Sequence, residues 1–118
     1  MANVILPVSP QVLKRVLAGE QLVLPRRVMP SKVQEGDRIT FYCDNAIHGT
    51  ATALAVHITT ECNIWAVAAG ARMDPNDLLG FWFGARKPGF FTLGNIRAFE
   101  KPKPWLWQPL QNFMYDIE

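Results

Sequence analysis

Residues 38–61, RITFYCDNAIHGTATALAVHITTE, decide the fold. In RITFYCD, Ile39, Phe41 and Cys43 alternate with Arg38, Thr40, Tyr42 and Asp44. Successive side chains of a strand point to opposite faces, so this pattern predicts a strand with one apolar and one polar side. NAIHG reads as a turn, and the Thr-, Val- and Ala-rich TATALAVHITTE reads as a second strand. Two strands joined by a short connection make a hairpin.

Working outward, NVIL at 3–6 suits a first strand. Ser9 and Pro10 offer an N-cap and a first helical residue. Val12, Leu13, Val16 and Leu17 then recur at helical spacing, and Gly19 supplies the stop. EQLVLP reads as a strand ending at Pro25, where an edge or strand end belongs because proline cannot donate to a ladder. RRVMPSKVQEGD is a loop. In NIWAVAAGARM, Gly70 weakens any helix. In DPNDLLGFWFG, Asp74 caps a short helix with Leu78, Leu79 and Trp82 facing inward and Gly84 ending it. GFFTLGNIRAF is the next strand, with a bulge or bend at Gly94. The tail from 100 onward holds Trp105, Trp107, Phe113 and Tyr115, too apolar to lie wholly exposed.

The 118 residues fit a single domain, 1–118, and with 49% hydrophobic residues the core needs no metal or disulfide staple. Twelve basic residues against ten acidic ones give a net charge of +2, so a nucleic-acid partner requires the cations to gather on one face. Cys43 and Cys62 are too few for a disulfide scaffold, and the N-terminus has no secretory pattern. No apolar run approaches the ~20 residues of a membrane helix. The expectation is a cytoplasmic protein with reduced thiols and no membrane partner. The order of elements predicts an α+β fold: a small, mostly antiparallel barrel with two or three helices at its ends.

The ordered series of motifs resembles the ASCH domain of the PUA-like superfamily. It comprises a helix ending in Gly19-Glu20, an extended segment reaching Arg26-Arg27, then GDRITFY at 36–42 and HGTATALAV at 48–56. FWFGARKPGFFTLGNIRAFEKPKPW at 81–105 and QPLQNFMYDI at 108–117 continue it. The resemblance implies a PUA-like barrel with a cleft beside the first helix, used by relatives for RNA or modified nucleosides. Some relatives resemble nucleases, others amidohydrolases that deacylate modified cytidine. Where those amidohydrolase-like relatives carry a lysine and a glutamate or threonine, this chain has Gln21 and Leu24. Neither side chain can act as nucleophile or proton carrier near neutral pH.

Arg26 and Arg27 are either a solvated corner pairing with Glu20 or Glu35, or an anion-binding lip. In an extended segment only one of them can face a cleft. Lys32, Arg38 and Tyr42 offer cations beside an aromatic ring, a base-stacking arrangement. Arg86 and Lys87 on a loop, with Arg97, Lys101 and Lys103 beyond, could form a basic rim. The spacing of Cys43, His48, His57 and Cys62 matches no zinc-site pattern, and Cys43 reads as a core residue. No metal or cofactor is expected, and no catalytic residue can be named.

The reading is a module that binds RNA or single-stranded nucleic acid in a basic cleft beside the first helix, through Arg26, Arg27, Lys32, Arg38, Tyr42 and Arg86. Two alternatives stay open. One is an enzyme acting on RNA or modified nucleosides, a ribonuclease or an acylcytidine amidohydrolase-like protein. The other is a protein-interaction or regulatory domain using the Trp105/Trp107 tail.

Overall fold

Asp44 and Asn45 both lie in the left-handed region, at φ 51° and 61°, and join β3 (Arg38–Cys43) to β4 (Ala46–His57). Such a pair forms a two-residue turn whose twist matches that of the strands it connects. The hairpin is therefore tighter than NAIHG implied, since Ala46 to Gly49 already belong to β4. The computed structural model describes residues 2–105 and 113–115. Trp107 lies outside the described residues.

The remaining elements, in chain order, are β1 (Asn3–Pro7), α1 (Pro10–Leu17), β2 (Val23–Arg26), α2 (Ile64–Gly70), α3 (Pro75–Trp82), β5 (Gly89–Pro104) and β6 (Met114–Tyr115). The strands form one sheet in the order β2-β5-β4-β3-β1-β6. Within this sheet, among the described residues, β1 and β3 pair in parallel and the other strand pairs are antiparallel. Pro25 sits in the edge strand β2, where no ladder donor is missed.

Strands β4 and β5, of 12 and 16 residues, carry the curvature. Their register slips at three places, one of them between Thr50↔Arg97 and Thr52↔Gly94. Gly94 and Asn95, the latter at φ 48°, thus form the expected irregularity. Bulges sharpen the local twist, and the six strands curl into a half-barrel.

Val4, Leu6, Ile39, Phe41, Ala51, Ala53, Phe91 and Leu93 fill the inner face. Helix α1 closes that side with Leu13 and Val16. Ser9 Oγ accepts from Val12 N–H at 3.3 Å to begin this helix. It ends in a Schellman turn, with Glu20 N–H donating to Arg15 O and Gly19 N–H to Val16 O. Gly19 supplies the required positive φ of 75°.

A second cluster joins α2, α3 and β5 through Val67, Ala68, Leu78, Trp82 and Phe90. Trp82 Nε1–H donates to Gly89 O at 3.2 Å. Gly70, expected to weaken a helix here, is the last residue of the seven-residue α2, and Val23 lies so near that an added Cβ would meet it at 2.5 Å. Leu79 does not face inward: it is 52% exposed, because two turns of α3 bury only the stripe of Leu78 and Trp82. Trp65 is 73% exposed on α2. Among the described residues, no helix is long and apolar enough to cross a membrane.

Candidate functional site

A cleft of about 310 Å³ opens between the β1–α1 junction, α1, β2 and the α2–α3 segment. Its walls are mostly apolar, with Val8, Val12, Leu24, Met73 and Phe81 among them. Four polar side chains enter it: Ser9, Arg15, Gln21 and Arg26. Such a ratio of apolar wall to placed polar groups is typical of small-ligand sites.

Strand β2 aims Arg26 into this cleft. Its register with β5, Leu24↔Phe91 and Arg26↔Gly89, fixes which residues turn inward. Arg26 is half-buried, and Nη1–H donates to the Pro7 carbonyl at 2.9 Å. Burial pushes its pKa down from the ordinary arginine range to about 10, so the group stays cationic at neutral pH. Arg27, one residue on, is exposed. The alternation of an extended segment separates the two arginines.

Gln21 is 2% exposed and held at both ends of its amide. Oε1 accepts from Arg15 Nε at 2.9 Å, and Nε2 donates to Val23 O at 3.0 Å. Leu24 is 3% exposed and belongs to the main core as well as to the cleft wall. Glu20 is exposed and is not among the cleft-lining residues.

The other sequence-selected residues lie elsewhere. Tyr42 is 7% exposed and its hydroxyl donates to Asn45 Oδ1 at 3.1 Å, so its ring offers no open stacking face. Lys32 is exposed over the Tyr115 ring, its Nζ 5.6 Å from the centroid. Arg86 is exposed on the loop after α3, beside Lys87, whose backbone N–H donates to Arg27 O. Arg38 lies in a separate groove on the sheet, with Arg97, Lys101 and Lys103. The six residues therefore do not converge on one cleft, and only Arg26 lines the one beside α1. Arg15, Met73 and Phe81 were missed. No local signal marks them, because Met73 and Phe81 reach the cleft only through the packing of α2 and α3.

The histidines and cysteines have structural roles. His48 Nε2 bonds to Cys43 O at 2.9 Å, and His57 stacks on Phe90 with ring centroids 4.3 Å apart. Burial raises the pKa of both thiols, and the nearby Asp44 adds to the rise at Cys43. Among the described residues, no three His, Cys, Asp or Glu side chains are grouped so as to hold a metal.

Three crystal structures of ASCH from Zymomonas mobilis match this architecture, with TM-scores of 0.79, 0.77 and 0.78. They are the unsubstituted protein and two single-site variants, one serine-to-alanine and one tyrosine-to-phenylalanine. Each alignment covers 98% of this chain and 88–91% of the other. This chain has the ASCH fold. At 18% identity the likeness is one of fold. No protein-family model matches the sequence, and no curated protein matches it. Within the ASCH fold, the site chemistry must come from the residues this chain places in its cleft.

Proposed function

We propose that the protein binds RNA or single-stranded nucleic acid, with one nucleotide seated in the cleft beside α1. The observation that carries this reading is Arg26, a cation brought into a largely apolar cavity by β2. A guanidinium presents forked donors that suit a phosphate, while Val12, Met73 and Phe81 provide apolar surface for a base. The ASCH fold supports a nucleic-acid-related role as an analogy of architecture.

Binding is favoured over catalysis by what the cleft contains. Among the described residues its lining includes no His, Cys, Lys, Asp or Glu. Ser9 Oγ is engaged in capping α1, and Gln21 has both amide ends bonded. A hydroxyl becomes a nucleophile only with an adjacent base, and this lining offers none.

Titrating a labelled single-stranded RNA at low and moderate salt tests the proposal. The expected result is binding at low salt that weakens as salt rises, because phosphate contacts release counterions. Absence of binding at low salt overturns it. Incubation with acylated cytidine is expected to give no turnover; turnover abolished by Arg26→Ala would establish the hydrolytic alternative instead.

A further inference from the structure

A second concavity, of about 1030 Å³, lies on the outer face of the sheet. Asn3 and Ile5 of β1, Arg38 and Thr40 of β3, and Thr50 of β4 line it. These residues alternate with Val4, Leu6, Ile39, Phe41 and Ala51, which face the core that α1 covers. The groove and the α1 cleft therefore lie on opposite faces of one sheet.

The register builds the floor. Arg97, Thr50, Thr40 and Ile5 form one row across β5, β4, β3 and β1, with neighbouring strands about 4.8 Å apart. Arg38, opposite Asn3, stands two residues along the strands from Thr40. Asn3 and Thr40 are buried, and Thr40 Oγ1 donates to Asn3 Oδ1 at 2.9 Å. The far wall is the end of β5, where the register with β4 passes from Gly49↔Ala98 to Ile47↔Lys103. That slip swings Phe99 to Pro102 out of the regular ladder and over the groove's edge.

Charge is concentrated here. Among the described residues, Arg38, Arg97, Lys101 and Lys103 line the groove against one carboxylate, Glu100. All four cations are exposed. They are a third of the chain's twelve basic residues, whereas among the described residues Glu100 is the one acidic side chain that accompanies them. A molecule with a net charge of only +2 thus presents one strongly cationic groove. Phe99 and Trp105, both half-buried, add aromatic surface, and Lys103 Nζ lies 4.8 Å from the Phe99 ring centroid. A cationic groove with aromatic surface is the arrangement that tracks a single-stranded backbone.

We infer that this outer-face groove is a second, sequence-tolerant binding surface for the sugar-phosphate backbone of a single-stranded nucleic acid. It does not depend on the α1 cleft, since the two sites share none of the described residues. A strand long enough to pass the sheet edge could engage both.

The test uses the full chain and a labelled ten-residue oligouridine, with affinity measured across a salt series. The variants are the charge reversal Arg97→Glu/Lys101→Glu/Lys103→Glu, its milder form with glutamine at the same positions, and Arg26→Ala. Thermal melts check that each is folded. The expected result is that charge reversal weakens binding at least about tenfold and lowers the salt slope by about 2, at ~0.7 per lost phosphate contact. The glutamine form gives a smaller loss in the same direction, and Arg26→Ala leaves most of the slope in place. Wild-type affinity and slope in both groove variants overturn the inference; if Arg26→Ala then abolishes binding, the cleft reading stands alone. Groove variants that lose binding while Arg26→Ala behaves as wild type uphold the groove and remove the cleft. Equal or tighter binding of a polyglutamate peptide or of duplex RNA to the groove overturns the assignment to single strands.

Discussion

Arg15 Nε donates to Gln21 Oε1 at 2.9 Å, across the turn that ends α1. With Gln21 Nε2 donating to Val23 O, the amide ties the helix to the entry of β2. At the position where hydrolase-like relatives are expected to carry a lysine, this chain has a structural brace. Replacing Gln21 by lysine would set an ammonium against the Arg15 guanidinium in a site only 2% exposed. Gln21→Lys is expected to lose about 1–3 kcal/mol in urea unfolding and to gain no deacylase activity, since Leu24 supplies no hydroxyl.

Arg26 is held in the cleft at a cost to the fold. Burial depresses its pKa to about 10, meaning that the folded state disfavours the charged form. Arg26→Met is expected to fold with a melting temperature equal to or above wild type while its nucleic-acid binding weakens at least about tenfold. From about pH 10 up to the ordinary arginine range, the unfolded chain retains the Arg26 proton that the folded chain releases. Wild-type stability relative to Arg26→Met therefore rises over that window, as paired urea titrations would show. Between pH 6 and 9 the charge is constant, and Arg26-dependent binding is expected to be flat.

Two glycines should respond in opposite directions to alanine. At Gly89 an added Cβ would collide with the His57 carbonyl oxygen and press on Met29 Cγ. The carbonyl belongs to the strand paired with β5 and cannot swing away, so Gly89→Ala is expected to cost about 1–3 kcal/mol or more. At Gly80, within α3, an added Cβ meets nothing within 4 Å. Gly80→Ala is expected to stabilise by about 0.5–1 kcal/mol through helix propensity. Chemical denaturation of both variants checks the pair.

The thiols should be slow. Burial raises both pKa values, so little thiolate exists at pH 7. Alkylation of the folded protein by iodoacetamide is expected to lag well behind that of the urea-unfolded chain. Cys43, which is 6% exposed, should lag more than the half-buried Cys62.

The elements were legible where a short-range period or a cap dictates them. Ile39, Phe41 and Cys43 declare the inner face of β3, and Ser9, Pro10 and Gly19 bracket α1. The turn at Asp44-Asn45 was blurred because both positions need positive φ and neither is glycine. The exposure of Trp65 and Leu79 could not be read, because a short apolar helix does not declare which of its faces a neighbour will cover. The site divides in the same way. That one arginine of the Arg26-Arg27 pair would face a cleft follows from strand alternation. That Arg38 would share a groove with Arg97, Lys101 and Lys103 depends on cross-strand register, which no local pattern encodes.

The neighbouring arginines give the central claim its own internal control. Arg26 lines the cleft, and Arg27, with the same charge one residue away, is exposed and outside it. The measurement is the affinity of Arg26→Met and Arg27→Met for one labelled single-stranded RNA at low salt. The account predicts at least a tenfold loss (about 1.4 kcal/mol) for Arg26→Met and a change of less than about threefold for Arg27→Met. Equal losses in the two variants, or a larger loss for Arg27→Met, would contradict it.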